Sequence, residues 1–332
     1  MRPAQFTKFL KTAIQHKRRV LVKGRPGIGK SDCVVNAAAD LGADVVLMHP
    51  AISDVTDFKG MPALTAGGSE AHFLPFGDLN RLIKATKTTV CFLDDIGQSP
   101  PAVQSGLMQL VLARSVNGAH LSEHVIFVGA TNDTTHMAAV SGMIEPLKSR
   151  WDTIVELEIN TDDWCDWANR NNMPPELIAF IRFRPALLSD FKPTKEITNS
   201  PCPRTWASCG HWINSGVRDL EVFEGAVGKG AATELFSFLD MYTSLPSLDD
   251  IIKSPKLIDV PEKPASCFAI AAGLARKATA QNLANVITYL DRMPVEFNVM
   301  CMKDVLTIGA AKGVTACKAF VDWSVKHQNV IW

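Results

Sequence analysis

The sequence predicts an α/β fold in its first half, a parallel sheet covered by helices, followed by an all-helical second half. Three observations predict it. Up to about residue 159, short β-rich runs alternate with helical patterns, as they do in a parallel sheet with helices on both faces. A glycine-rich run, 24–31, joins the first of those strands to the helix after it. Beyond Asn160 the β pattern stops, and helical stretches broken by Pro and Gly continue to Trp332.

The elements follow in order. RRVLVK (18–23) reads as a strand, Ser31–Leu41 as the next helix, and DVVLMH (44–49) as a second strand. In DLNRLIKAT (78–86), Leu79, Leu82 and Ile83 stand at helical spacing. TTVCFLDD (88–95) is a third strand whose unbroken apolar centre implies burial on both faces. PPAVQSGLMQLVLAR (100–114) opens with Pro, which suits a first helical turn. RSVNGAHLSEH (114–124) carries Asn117-Gly118 between short β-like runs, a hairpin signal. HVIFVGATN (124–132) and TIVELEI (153–159) complete the strands. TDDWCDWANR then starts the helical half with a Thr/Asp cap. The boundaries expected are a core over 1–159, a helical lid over 160–245, and a helical C-terminal region over 246–332, the last set off by clustered Pro and charge.

Composition narrows the function classes. Among 332 residues, 34 basic side chains balance 34 acidic ones. That neutrality gives no support for non-specific attraction to nucleic acid or membrane. No apolar run reaches the roughly 18–20 residues of a membrane span. The N-terminal stretch is too polar after Phe9-Leu10 for a signal peptide. A cytoplasmic protein is therefore expected. The eight cysteines (33, 91, 165, 202, 209, 267, 301, 317) show neither CxxC nor Cys/His ligand spacing, so most read as buried thiols.

The run Gly24-Arg25-Pro26-Gly27-Ile28-Gly29-Lys30-Ser31 fits GxxxxGK[ST] between a strand and a helix. Backbone N–H groups converge on phosphates only where glycine permits the turn, and the following helix points its positive end at them. Lys30 can reach the β- and γ-phosphates of ATP, and Ser31 can ligate magnesium. The candidate nucleotide contacts are Gly24, Pro26, Gly27, Ile28, Gly29, Lys30, Ser31 and Asp32. Asp94-Asp95 ends the third strand at the edge of a parallel sheet where ligands bind. Asp94 is the second candidate metal-holding residue.

These motifs resemble, in order over about 20–215, those of AAA+ ATPases and within them the MoxR-type group. GRPGIGKS is similar to the Walker A loop, and FLDDIGQSPP to Walker B and its continuation. FLPFGDL (73–79) resembles the segment just before that strand. VIFVGATN resembles the sensor-1 strand, with Asn132 beside the attacking water. EPLKSRW (145–151) resembles the arginine-finger stretch, with Arg150 as the finger. SPCPRTW (200–206) resembles the sensor-2 motif, with Arg204 opening a lid helix. The resemblance implies a P-loop NTPase (AAA+) parallel-sheet core with an all-α lid. It implies catalytic roles for Asp95, Asn132 and Arg150, and a nucleotide contact from Arg204. Each has a plainer reading. Asn132 could cap a helix starting near Asp133, and Arg150 could be a solvated surface cation. Arg204 sits where a cation opposes the helix dipole, a local rule break that favours a site. Asp95 departs from the family's usual glutamate by one methylene, which bears on turnover and not on ATP binding.

The same resemblance suggests substrate-facing loops. Phe58 and Lys59 are a candidate pore contact pair, although Phe58 could equally be packed inside. Arg114 could sense a neighbouring subunit's nucleotide, or simply sit as a cation at a helix C-terminus. Trp164 and Trp167 fit lid core better than a stacking platform. The implied function is an ATP-hydrolysing homo-oligomer, a hexameric ring with active sites between subunits. It would remodel a protein substrate or activate a partner such as a von Willebrand factor A-type protein. Two alternatives remain: a nucleic-acid-linked ATPase of clamp-loader or helicase-loader kind, and a non-hydrolysing nucleotide switch motivated by Asp95.

Overall fold

The computed structural model of the chain describes residues 1–64, 68, 70–132, 142–191, 196–309 and 313–327. Two compact units emerge, Met1–Ile159 and Asn160–Trp332. In chain order the first runs α1 (Pro3–Gln15), β1 (Val20–Lys23), α2 (Lys30–Asp40), β2 (Asp44–Met48), α3 (Val55–Lys59), β3 (Met61–Leu64), β4 (Ala71–Leu74), α4 (Gly77–Ile83) and β5 (Thr89–Leu93). A 3-10 turn at Ile96–Gln98 leads to α5 (Pro101–Ala113), β6 (Ser115–Val116), β7 (Ala119–His120), β8 (Val125–Thr131), α6 (Glu145–Lys148) and β9 (Thr153–Glu156).

Five of these strands form one sheet in the order β2-β5-β8-β1-β9, with every pairing parallel. This is the α/β P-loop NTPase fold that the sequence predicts. Side chains alternate across the strands. Val20, Val22, Val90, Phe92, Ile126 and Val128 enter one core with Phe6 and Leu10 of α1 and Val34 and Ala37 of α2. Leu21, Cys91, Leu93, Val125 and Phe127 enter the opposite core with Phe58, Leu79, Leu107 and Trp151. Every residue of β5 is buried, as its apolar run implies for a strand covered on both sides.

The strand order positions the site. β8 lies between β5 and β1, and Lys23 is level with Thr131 while Leu93 is level with Gly129. The chain leaving β1, β5 and β8 therefore emerges at one edge, side by side.

Two features differ from the sequence expectation. α1 is not among the expected elements, although Phe6, Leu10, Ala13 and Ile14 bury one helical face. No strand is expected over 61–74, yet β3 and β4 pair as an antiparallel ribbon. Almost all of that ribbon is exposed. It belongs to no larger sheet and buries neither face, so no alternating pattern marks it in the sequence. The hairpin of β6 and β7 is where the Asn-Gly signal puts it. Asn117 and Gly118 both take positive φ, 47° and 83°, as a type I′ turn requires.

The second unit runs α7 (Thr161–Arg170), α8 (Pro175–Phe183), a 3-10 turn at Pro185–Ser189, α9 (Pro203–Asn214), α10 (Leu220–Val227) and α11 (Lys229–Thr243). It continues as α12 (Leu248–Lys253), α13 (Pro264–Lys277), α14 (Leu283–Leu290), α15 (Val295–Gly309), a 3-10 turn at Val314–Ala316, and α16 (Lys318–Lys326). Among the described residues it holds no strand. The cap of α7 is Asn160, whose side chain accepts from the Asp163 N–H, one residue before the expected Thr/Asp cap. Helices on both sides of residue 245 share packing: α13 lies against α8 and α15. Arg182 on α8 makes a forked pair with Asp304 on α15, 2.6 Å from Nη2 to Oδ1, with the Asp304 side chain 1% exposed. Burial disfavours the charged guanidinium, but the hydrogen-bonded Asp304 overcomes this and holds Arg182 above the ordinary arginine value. Trp164 is buried in α7, in line with a core role.

Candidate functional site

The 24–31 loop leaves β1 and enters α2 directly. Gly27 and Gly29 stand at φ 72° and 93°, left-handed values that cost any residue with a Cβ. Gly29 is also the N-cap of α2. Gly24 answers a different need. A Cβ there would meet Ile28 Cδ1 at 2.7 Å and the Leu157 carbonyl at 3.0 Å. The loop's glycines thus supply turn and closeness, as the motif requires. Ile28 is buried beneath it, Pro26 is half-buried and Asp32 is exposed on the first turn of α2.

Lys30 is only 7% exposed. Its Nζ donates to the Gly24 and Arg25 carbonyls, both at 2.9 Å, and to Asn132 Oδ1 at 2.7 Å. The ammonium is thereby folded back over the loop. Beside it, Ser31 Oγ donates to Asp94 Oδ2 at 2.7 Å. A hydroxyl and a carboxylate so placed form an all-oxygen donor set that suits a hard divalent cation such as magnesium. Asp94 also caps its own strand end, since its Oδ1 accepts from the Asp95 N–H at 3.0 Å.

Asp95 takes φ 54°, a left-handed value that Asp tolerates better than most residues. Its Oδ1 accepts from Asn132 Nδ2 at 3.1 Å and from Gln98 Nε2 at 3.0 Å. A continuous polar chain therefore runs Lys30–Asn132–Asp95–Gln98. The structure brings together Lys30, Ser31, Asp94, Asp95 and Asn132, drawn from three sequence stretches, because β1, β5 and β8 are neighbours. Gln98 is the member that sequence reasoning missed. It lies inside FLDDIGQSPP, but a glutamine in a turn carries no pattern of its own. The helix expected from Asp133, which Asn132 could cap, lies outside the described residues.

Three candidates are placed differently. Phe58 is fully buried between α3 and the sheet, which is the packed-inside alternative and not the pore contact: α3 is short and its one large apolar side chain is drawn into the core. Lys59 is half-buried, and its carbonyl accepts from Asn117 Nδ2 at 2.9 Å. Arg114 donates to the Val125 carbonyl at 2.8 Å and to the Ser122 carbonyl at 2.6 Å. Burial, aided by nearby Arg19, lowers its proton affinity. Its guanidinium fastens the hairpin to the start of β8, in line with the plainer reading of a cation at the C-terminus of α5.

Arg150 is half-buried. Its Nε donates to the Met108 carbonyl at 2.9 Å and its Nη1 to the Pro146 carbonyl. These bonds hold its stem against α5 within its own unit. Arg204 is exposed in the first turn of α9, in the second unit. All eight cysteines are free thiols, seven of them buried. Burial pushes Cys165 and Cys209 up to about 12, far from the range of a reactive thiolate.

No family model matches the chain, and no curated protein matches it. Among solved structures, the chain is similar to the RuvB Holliday junction branch migration motor of Thermotoga maritima, at 18% identity and a TM-score of 0.40, covering 82% of this chain and 80% of that one. A mutant of the same RuvB matches at 17% identity and a TM-score of 0.42, covering 81% and 80%. NtrX from Brucella abortus in complex with ATP matches at 11% identity and a TM-score of 0.44, covering 82% of this chain and 63% of NtrX.

Proposed function

We propose that this chain binds ATP with magnesium and hydrolyses it as an AAA+ motor of MoxR type, acting as a chaperone-like remodeller or activator of a partner protein. The observation that carries the reading is the convergence of Lys30, Ser31, Asp94, Asp95 and Asn132 at one sheet edge. Each has the chemistry that phosphoryl transfer to water needs. The glycine loop offers N–H groups to the phosphates, and Lys30 exchanges its carbonyl and Asn132 partners for phosphate oxygens. A magnesium ion held by Ser31 and Asp94 would neutralise charge between phosphate oxygens. Asn132 and Asp95 orient the water. Its oxygen bonds to the terminal phosphorus, the bond to the bridging oxygen breaks with its electron pair going to the diphosphate, and the water's proton passes to Asp95. Arg150 acts on the nucleotide of a neighbouring subunit in a hexameric ring, and Arg204 acts from the lid, 160–245. Residues 246–332 serve as a helical packing or partner module, and the partner class that the resemblance implies for the whole protein is a von Willebrand factor A-type protein.

The test is steady-state ATP hydrolysis against protein concentration, with Lys30→Ala as the blank. Specific activity should rise with concentration. Arg150→Ala should lose hydrolysis while still binding nucleotide, and mixing it with Lys30→Ala should restore part of the rate, because each supplies what the other lacks. Activity independent of concentration, with no recovery on mixing, refutes the shared site. A second reading, a nucleotide switch that does not hydrolyse, is favoured by the short Asp95 side chain. It predicts tight ATP binding with turnover equal to the blank.

A further inference from the structure

Gln98 is the one member of the polar chain that no motif assigns. Its Nε2 donates to Asp95 Oδ1 at 3.0 Å, while its Oε1 is buried without a hydrogen-bond partner. A buried acceptor without a partner is unfavourable, because it gives up its bonds to water for nothing. Turning the amide over would bring that oxygen to the carboxylate and lose the donor. The orientation kept is the one that sacrifices Oε1 to hold Asp95.

The turn carrying Gln98 is itself firmly held. Gln98 N–H donates to the Asp95 carbonyl at 3.0 Å. Ser99, fully buried, donates from Oγ to the Ile96 carbonyl at 2.6 Å. Gln104, also fully buried, donates from Nε2 to the Ser99 carbonyl at 3.0 Å and to the Gly142 carbonyl at 2.9 Å, and accepts from the Ile144 N–H at 2.9 Å. Three side-chain hydrogen bonds of Gln104 thus fix the turn to α5 and to the 142–144 stretch. A side chain presented from such a support is held to the tolerance that catalytic geometry demands.

We infer that Gln98 is a positioning residue for Asp95: with Asn132 it pins Oδ1, so that Oδ2 faces the attacking water in one fixed orientation. The inference rests on the hydrolytic reading above. Its physical reason lies in the length of Asp95. The shorter acid reaches less far from the backbone than a glutamate would, so its angle must be set more tightly to meet the water. Two donors on one oxygen set the carboxylate plane, whereas one donor leaves it free to swing. Among the described residues the side-chain donors to Asp95 both fall on Oδ1. A misplacement of about 1 Å at such a group costs on the order of 100-fold in rate.

The experiment compares ATP turnover, nucleotide affinity and melting temperature for the wild type, Gln98→Leu, Gln98→Glu, Gln98→Lys and the Lys30→Ala blank. Gln98→Leu keeps the bulk and removes the donor. It should lower kcat at least 10-fold with nucleotide affinity within twofold of wild type and the melting temperature nearly unchanged. Gln98→Glu, which sets an acceptor against Asp95, should fall further. Gln98→Lys returns an N–H donor of similar reach and should recover part of the rate. Turnover of Gln98→Leu within twofold of an active wild type overturns the inference alone. So does a loss that Gln98→Lys fails to relieve and that tracks falling affinity or melting temperature. A wild type no faster than Lys30→Ala overturns the hydrolytic reading, and the inference with it.

Discussion

Lys30 shows how much one buried charge determines. Its ammonium is 7% exposed and sits among two carbonyls and Asn132 Oδ1. Lys30→Ala should abolish hydrolysis and weaken ATP binding at least 10-fold, read by equilibrium titration with a fluorescent ATP analogue. A second single-residue effect is one of pH. Arg19 donates to Asp152 from Nη2 at 2.7 Å and from its backbone N–H at 2.8 Å. The side-chain bond, more than the backbone one, holds the Asp152 carboxyl below its ordinary value. A depressed carboxylate contributes stability above its unfolded value, about 3.9, and that contribution is lost as pH falls through the folded value. With both side chains about a quarter exposed, Asp152→Asn should cost about 1 kcal/mol at pH 7. The gap to wild type in urea denaturation should narrow as pH falls below about 3.9, and a gap that stays unchanged there refutes the assignment.

At the scale of elements, short helices and ribbons are where sequence and structure part most. α3 is five residues long with an Asp54 cap and capping box, and it serves to deliver Phe58 to the core. Phe58→Ala should cost about 3–5 kcal/mol in chemical denaturation. A loss of substrate-stimulated ATPase without loss of stability would return Phe58 to the pore-contact role. The β6–β7 hairpin, by contrast, was legible from two residues, because positive φ at both turn positions selects Asn-Gly. Four strands of the main sheet were legible within a residue or two from their apolar runs, while β9 ends at Glu156, three residues short of the expected Ile159. α5 begins at Pro101, one residue inside the expected start at Pro100. The ribbon of β3 and β4 was invisible because an uncovered ribbon leaves no burial pattern to read.

For the molecule as a whole, the second unit depends on polar as well as apolar packing. Arg182→Met leaves Asp304 as a buried charge without its partner and should cost about 3–5 kcal/mol. The double variant Arg182→Met/Asp304→Leu should regain most of that, since no ion then remains to be solvated. Thermal denaturation of the three proteins decides it: a double variant less stable than the single one would mean that the pair itself carries the packing of α8 on α15. Phe180 adds an aromatic junction there, 5.5 Å from both Trp206 and Phe238 ring centroids. Among the described residues no helix is long and apolar enough to cross a membrane.

The sequence by itself determined the parallel-sheet core, the break in pattern at Asn160, and the glycine-rich loop with its acidic partner strand. All of these are written in local periodicity or in fixed spacing, so neighbouring residues suffice to read them. Only the tertiary structure decided which distant side chains meet. Asn132 reaches both Lys30 and Asp95 because the strand order sets β8 between β1 and β5, a choice made by the packing of whole elements. Gln98 acquires meaning only once Asp95 is beside it, and the packing of Phe58 and the carbonyl partners of Arg114 appear only once their neighbours are seen. Hydrogen bonds and core contacts between residues far apart in the chain depend on distances in space, and sequence spacing does not carry those distances.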